Sequence, residues 1–242
     1  MEATLFLGTP MNRSLATSSL WIFGITALLV AALIPLDPIL SQSAQGLPGA
    51  VVSFNRRITD FGTFSWMIYG SGLIVILAYI LRRVSRNETF SGRARTARRL
   101  SLYFFLTIGA TSALVHLFKL IVGRARPELF TELGAYSLKP FVYDNLYASF
   151  PSGHSAAAGA FFGAFSMLAP RLRPLFLIGA LTIGASRVIV GAHYPSDVAA
   201  GLLLGLWTAV ATAYFFASRE WLFRFDEGGW PLPKSMLQPK AE

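Results

Sequence analysis

The sequence predicts an all-α integral membrane protein, a single bundle of six transmembrane helices. Three observations lead there. Of 242 residues, 54% are hydrophobic and only 14% are charged, whereas a soluble domain carries about a quarter charged residues. Six stretches approach the roughly 20 mostly apolar residues that a spanning helix needs: 20–40, 61–81, 100–122, 152–168, 174–190 and 197–217. The charges collect in the links between these stretches, whereas a soluble bundle needs amphipathic helices with charged outer faces.

In chain order, residues 1–19 form a short N-terminal segment whose only basic residue is Arg13. The apolar run 20–40 is expected to be an uncleaved helix, because no small-x-small cleavage pattern follows it. Span 61–81 runs into link 82–99, which holds Arg82, Arg83, Arg86, Arg93, Arg95, Arg98 and Arg99 against one Glu88. Spans 152–168 and 174–190 are shorter and rich in Gly and Ala. Small residues let helices approach closely in lipid, so both are expected inside the bundle. The tail 218–242 is too short for a domain, and its Trp221, Phe223, Phe225 and Trp230 read as interfacial anchors. The division is therefore 1–19, a membrane domain 20–217, and a tail 218–242.

Arginine distribution sets the orientation. Link 82–99, Arg171 and Arg173, and the tail residues Arg219, Arg224, Lys234 and Lys240 fall on one side with the N-terminus. That side is expected to be cytoplasmic, and 41–60, 123–151 and 191–196 to face outward. This accounts for the formal charge of +9 through topology and anionic headgroups, and no nucleic-acid partner is expected. With no cysteine, disulfides, thiol catalysis and thiolate metal sites are excluded.

The polar residues that interrupt the apolar pattern share one depth, the outward membrane boundary. They are Lys119 near the outer end of the third span, Arg124, Arg126 and Pro127 after it, Pro151-Ser152-Gly153-His154 opening the fourth, Ser186-Arg187 near the end of the fifth, and His193 and Asp197 around the start of the sixth. Ionisable residues in or beside spans are expensive and functional by default. Lys119, Arg126 and Arg187 offer cationic donors suited to phosphate oxygens. Ser152 is a good N-cap, Gly153 admits close approach to the backbone, and the free N–H groups of that helix start form an anion site. Asp197, just inside the sixth helix, can reach back to one ring nitrogen of His193. That fixes the tautomer and frees the other nitrogen as a nucleophile. His154 is then left to protonate a leaving oxygen.

Together, Lys119-x6-Arg126-Pro127, Pro151-Ser152-Gly153-His154 and Ser186-Arg187-x5-His193-x3-Asp197 resemble the three-part signature of the type-2 phosphatidic acid phosphatase superfamily. All signature positions are filled, in order, over residues 119–197. The resemblance implies a six-helix membrane fold with its active site at the outer boundary and dephosphorylation without metal or other cofactor. It also implies a phosphohistidine on His193, His154 as acid and base, and a phosphate cradle of Lys119, Arg126, Ser152, Gly153 and Arg187.

Each residue also has a plainer reading. Lys119 taken alone reads equally as a lysine snorkelling to the interface. Arg124, outside the signature, reads as a headgroup contact, and His116, one turn before Lys119, as a polar packing residue. Arg56, Arg57 and Asp60 read as a solvated helix end. Glu128, Glu132 and Asp144 are too scattered for a metal site. Phe104, Phe105, Phe161, Phe162 and Phe165 read as lipid contact or core.

The expected activity is hydrolysis of a phosphomonoester or pyrophosphate on a membrane lipid. Candidate substrates are phosphatidic acid, phosphatidylglycerol phosphate, lipid A phosphate and polyprenyl pyrophosphate. The expected setting is a bacterial inner membrane, with the site facing the periplasm and both termini cytoplasmic. A lipid phosphotransferase would use the same residues. A non-catalytic lipid-binding protein would not need both His154 and His193. A vanadium-dependent haloperoxidase has a similar anion site but is soluble.

Overall fold

The computed structural model describes residues 10–234, with side chains from residue 15. Residues 1–9, the Arg13 side chain and Lys240 lie outside the described residues. The helices are α1 (Pro10–Leu33), α2 (Asp37–Gln45), α3 (Gly49–Asp60), α4 (Phe64–Val84), α5 (Glu88–Val122), the single turn α6 (Phe130–Leu133), α7 (Gly153–Leu168), α8 (Arg173–Ile189) and α9 (Pro195–Ser218). A two-stranded antiparallel hairpin follows, β1 (Phe223–Phe225) and β2 (Pro231–Pro233).

Among the described residues, five helical stretches are long and apolar enough to cross a membrane: Leu15–Gln45, Gly49–Val84, Glu88–Val122, Pro170–Ile189 and Pro195–Ser218. The remaining expected span, α7, has 16 residues, about 24 Å of helix against a hydrocarbon core of about 30 Å. The count therefore stands at five by length and apolarity, with α7 as a shorter central helix. The arginine-rich link 82–99 is not an open loop. Its larger part is the start of α5, where the Asn87 side chain accepts the Phe90 N–H at 3.1 Å. At 35 residues, α5 is about 52 Å long, so its arginine-bearing turns extend beyond the apolar layer.

Helices α7 and α9 form the centre. Ala156, Ala157, Ala158 and Ala160 are fully buried, and the facing glycines of α9 bring the backbones together. A Cβ placed on Gly201 would lie 2.5 Å from the Ser152 carbonyl oxygen, and one on Gly205 would overlap the Ala156 carbonyl. This is the small-residue packing by which helices associate in lipid. Helix α5 is joined to α9 by Tyr103 Oη donating to the Ala209 carbonyl at 2.9 Å and by the paired hydroxyls of Thr111 and Thr208. Phe104, Phe161 and Phe165 interlock as rings, which is the core reading, while Phe105 is exposed.

Two packing expectations change. Helix α7 is central as expected, but α8 lies at the periphery. Ala180, Ile183 and Gly184 make one buried stripe on it, while Leu175, Leu177, Ile178 and Leu181 are exposed on the rest. The tail aromatics also do more than anchor. Phe223 is fully buried against Tyr103, and Trp221, Phe225 and Trp230 pack on the same cluster. The hairpin turns their rings back against Tyr103 of α5 and Phe216 and Tyr214 of α9.

Candidate active site

The ends of α5, α7, α8 and α9 meet at one end of the bundle. The Ser152 N–H donates to the Asp197 carbonyl at 3.0 Å, tying the starts of α7 and α9 together. Lys119 Nζ, on the last turn of α5, donates to the Ala148 carbonyl in the loop leading to α7. A cavity of about 480 Å³ opens here, and Lys119, Arg126, Gly153, His154, Arg187 and His193 all line it. Its wall is completed by the first turns of α4, including Phe64, Ile68 and Tyr69, and the last turns of α5, including Ser112 and His116. Seven of the eight sequence-predicted site residues thus line the cavity or, in the case of Asp197, stand directly behind His193.

The eighth, Ser152, is fully buried and does not line the cavity. Its Oγ accepts from the Ser155 Oγ at 2.8 Å and from the Ser155 N–H at 3.4 Å, so it caps α7. Its contribution is the placement of the first turn of that helix, whose leading N–H groups have no intrahelical acceptor. A Cβ on Gly153 would meet only Phe64 and Val115, both at 3.8 Å. Packing therefore does not demand glycine at this cavity-lining position.

The electrostatics are one-sided. Lys119, Arg126 and Arg187 face the cavity, and none has a carboxylate within ion-pair distance among the described residues. Arg187 Nη1 donates to Thr59 Oγ1 at 2.8 Å, but the Nε atoms of Arg126 and Arg187 are buried with no partner. Buried donors ordinarily find acceptors, and clustered like charges repel. An arrangement of unpaired cations around a cavity is relieved by a polyanion supplying several oxygens. Among the described residues, no three His, Asp or Glu side chains gather as a metal-binding group.

His193 lies in the turn between α8 and α9 and is 3% exposed. Burial pushes its imidazole down to about 4, with the neighbouring Asp197 carboxylate opposing, so the ring is neutral at ordinary pH. Its Nδ1 stands 3.8 Å from Asp197 Oδ2. That is beyond hydrogen-bond length, and Nδ1 has no other partner. Asp197 is meanwhile held from several directions. Oδ2 accepts from Ser149 Oγ at 2.6 Å and from the Tyr194 N–H at 3.0 Å, and Oδ1 accepts from Arg124 Nη1 at 2.7 Å. The Tyr194 contact makes Asp197 a helix-capping residue at the third position of α9, so one carboxylate both starts the helix and faces the histidine.

Arg124 corrects the headgroup reading. It is 6% exposed, and all five guanidinium N–H groups are matched within the protein. Nε and Nη2 donate to the Ala135 carbonyl, Nη2 also to Asp37 Oδ2 at 2.8 Å, and Nη1 to Ser196 Oγ and Asp197 Oδ1, both at 2.7 Å. Its guanidinium carbon sits 4.3 Å from the centre of the Tyr194 ring. Two carboxylates raise its basicity against the opposing effect of burial. Asp37, Ser149, Ser196 and Thr59 were not singled out from the sequence. A carboxylate at the end of the first apolar run, followed by Pro38, was the one available signal for this group. His116 is also corrected: it is exposed and lines the cavity beside Lys119, because the last turns of α5 stand at the cavity edge. Arg56, Arg57 and Asp60 are exposed, as expected of a solvated helix end.

The PAP2 superfamily profile matches residues 100–221. The lipid A 1-phosphatase of Rhizobium johnstonii is 38% identical over 195 residues, 81% of this chain and 80% of that protein. The lipid A 1-phosphatase of Rhizobium etli is 38% identical over 190 residues, covering 78% and 82%. The crystal structure of a transmembrane PAP2-type phosphatidylglycerolphosphate phosphatase from Bacillus subtilis superposes with a TM-score of 0.56 at 22% identity, over 81% of this chain and 94% of that one; that likeness concerns the fold. With the membrane-spanning helices, the family match and these relatives together, the chain belongs to the PAP2 superfamily and is an integral membrane lipid phosphatase.

Proposed function

We propose that the protein removes the 1-phosphate of lipid A through a phosphohistidine on His193. The observation that carries the chemistry is the cavity in which His154 and His193 meet three cations lacking carboxylate partners. The phosphate enters among Lys119, Arg126 and Arg187 and the first turn of α7, which together offset its charge without a metal ion. His193 Nε2 attacks phosphorus while His154 gives its proton to the departing sugar oxygen. The P–O bond breaks as the N–P bond forms. His154 then takes a proton from water, the water oxygen attacks phosphorus, and inorganic phosphate leaves with His193 restored. Asp197 stands 3.8 Å from Nδ1 and meets the positive charge that the ring gains on phosphorylation.

The lipid A assignment is supported by the two relatives that match over about four fifths of both chains. A second cavity of about 510 Å³, which shares Lys119 and His116 with the first and is edged by Tyr143, Asp144 and Asn145, gives room for a headgroup larger than glycerol. The arginine distribution supports a site on the periplasmic side, with both termini and link 82–99 cytoplasmic.

The test is phosphate release by purified protein in detergent with excess chelator. The panel is lipid A bearing two phosphates, phosphatidic acid, phosphatidylglycerol phosphate and a polyprenyl pyrophosphate. Lipid A is expected to lose its glycosidic phosphate fastest and to keep the other. Preference for a different lipid, transfer to an acceptor lipid in place of free phosphate, or activity that disappears on chelation and returns with Mg²⁺ would overturn the reading.

A further inference from the structure

We propose that Asp37 and Arg124, both outside the three-part signature, are positioning residues that act on His193 through Asp197. This inference rests on the proposal that His193 is the nucleophile. Four side chains from three distant parts of the sequence form a line: the carboxylate of Asp37 at the start of α2, the guanidinium of Arg124 in the loop after α5, the carboxylate of Asp197 in the first turn of α9, and the imidazole of His193 in the turn before it. Ser196 braces the far end, its backbone N–H and Oγ both donating to Asp37. With every guanidinium N–H engaged inside the protein, Arg124 has none left for a phosphate oxygen or a headgroup.

Burying a guanidinium between two carboxylates is expensive, and well-packed apolar residues often hold a fold as well or better. What an apolar cluster cannot do is hold a carboxylate in place without cancelling its charge. Arg124 alone beside Asp197 would leave a neutral pair. With Asp37 present, two carboxylates share one guanidinium, and one net negative charge remains facing His193. From the other elements packed around it, His193 faces Lys119 of α5, Arg126 of the loop, His154 of α7 and Arg187 of α8. Those groups are cations or a second imidazole, so compensation for a positively charged phosphorylated ring comes from the Asp197 side. Arg124, Ser149 and the Tyr194 N–H hold both carboxylate oxygens, leaving Oδ2 the atom nearest Nδ1. A small ring movement on phosphorylation then closes the 3.8 Å gap.

The chain has three histidines, His116, His154 and His193, so histidine-labelled protein in detergent gives an NMR spectrum assignable by substitution, with no substrate required. Asp37→Asn is expected to lower kcat on lipid A by about 10–100-fold, as loss of an outer orienting group commonly does, with KM within about twofold. Arg124→Gln removes a positive charge and should raise the His193 midpoint by roughly one pH unit. Asp37→Asn removes a negative charge and should lower it. The double variant restores the net charge and should return the midpoint toward wild type without restoring kcat. A merely structural role would not produce opposite shifts that cancel.

Wild-type kcat in Asp37→Asn, or midpoints moving in the same direction in both single variants, overturns the proposal. If either neutral variant fails to fold, Arg124→Lys and Asp37→Glu carry the test. They keep the charges and disturb the geometry, so kcat falls while the midpoint stays, and wild-type kcat in both is a refutation. The premise is checked separately. Bound phosphate persisting in His193→Ala overturns the nucleophile assignment. Its loss there, with Asp37→Asn behaving as wild type, leaves the nucleophile standing and removes only the relay.

Discussion

Replacing Gly201 by alanine touches no residue of the cavity, yet it should disable the site. The new Cβ would lie 2.5 Å from the Ser152 carbonyl oxygen and 3.1 Å from the Ala156 N. Both are backbone atoms of the first turn of α7 and are joined to each other by that turn's 2.9 Å hydrogen bond, so neither can rotate aside. Reaching ordinary contact at 3.4 Å requires α7 and α9 to separate by about 0.9 Å, which is 3.4 less 2.5. Overpacking of this kind costs about 1–3 kcal/mol. The movement falls between Gly153 and His154 on α7 and Asp197 on α9. A misplacement of about 1 Å is worth roughly 100-fold in rate. The assay is phosphate release beside a thermal melt in the same detergent, where a fall of about 5–10 °C is expected. Gly109→Ala is the control, since a Cβ there meets nothing within 4 Å and alanine favours a helix by about 0.5–1 kcal/mol. Wild-type activity and melting in Gly201→Ala would refute the claim that close α7–α9 contact sets the site geometry.

Two further outcomes follow from the same geometry. Gly153→Ala should fold with an unchanged melting temperature, because its Cβ meets only ordinary contacts. It should nevertheless lose at least about tenfold in kcat/KM, because the methyl group stands where the phosphate approaches the backbone. For topology, single cysteines at Ser91 and Ser137 report cleanly in a chain that has none. An impermeant thiol reagent on cells with a permeabilised outer membrane should label position 137 and spare 91, and the reverse would invert the orientation.

The cavity-lining residues were legible in sequence because each is costly in a membrane chain: a lysine, two arginines and two histidines at one depth. Their spacing within motifs of a few residues also put each one at a helix end or in the adjoining loop. What holds them was not legible. Asp37 and Arg124 are 87 residues apart and share no motif, and Arg124 beside Arg126 looks like one more surface cation. Only the folded loop, which gives it the Ala135 carbonyl and two carboxylates, shows that it is spent inside the protein. Ser149 and Thr59 are ordinary hydroxyls in sequence, and their partners come from tertiary placement alone. The burial of Phe223 was hidden for a similar reason. A Trp/Phe-rich tail suits a membrane interface, and the hairpin that folds it onto Tyr103 has strands of only three residues.

Rapid-quench labelling with lipid A radiolabelled at the glycosidic phosphate tests most directly whether His193 carries the phosphoryl group. General acid–base assistance is worth roughly 10²–10⁴-fold, so His154→Ala should form the intermediate slowly and hydrolyse it slowly. Wild-type protein and His154→Ala should show protein-bound phosphate that is labile in acid and stable in base. His193→Ala should show none. Bound phosphate in His193→Ala, or turnover by the wild type with no bound phosphate at any time point, would contradict the account.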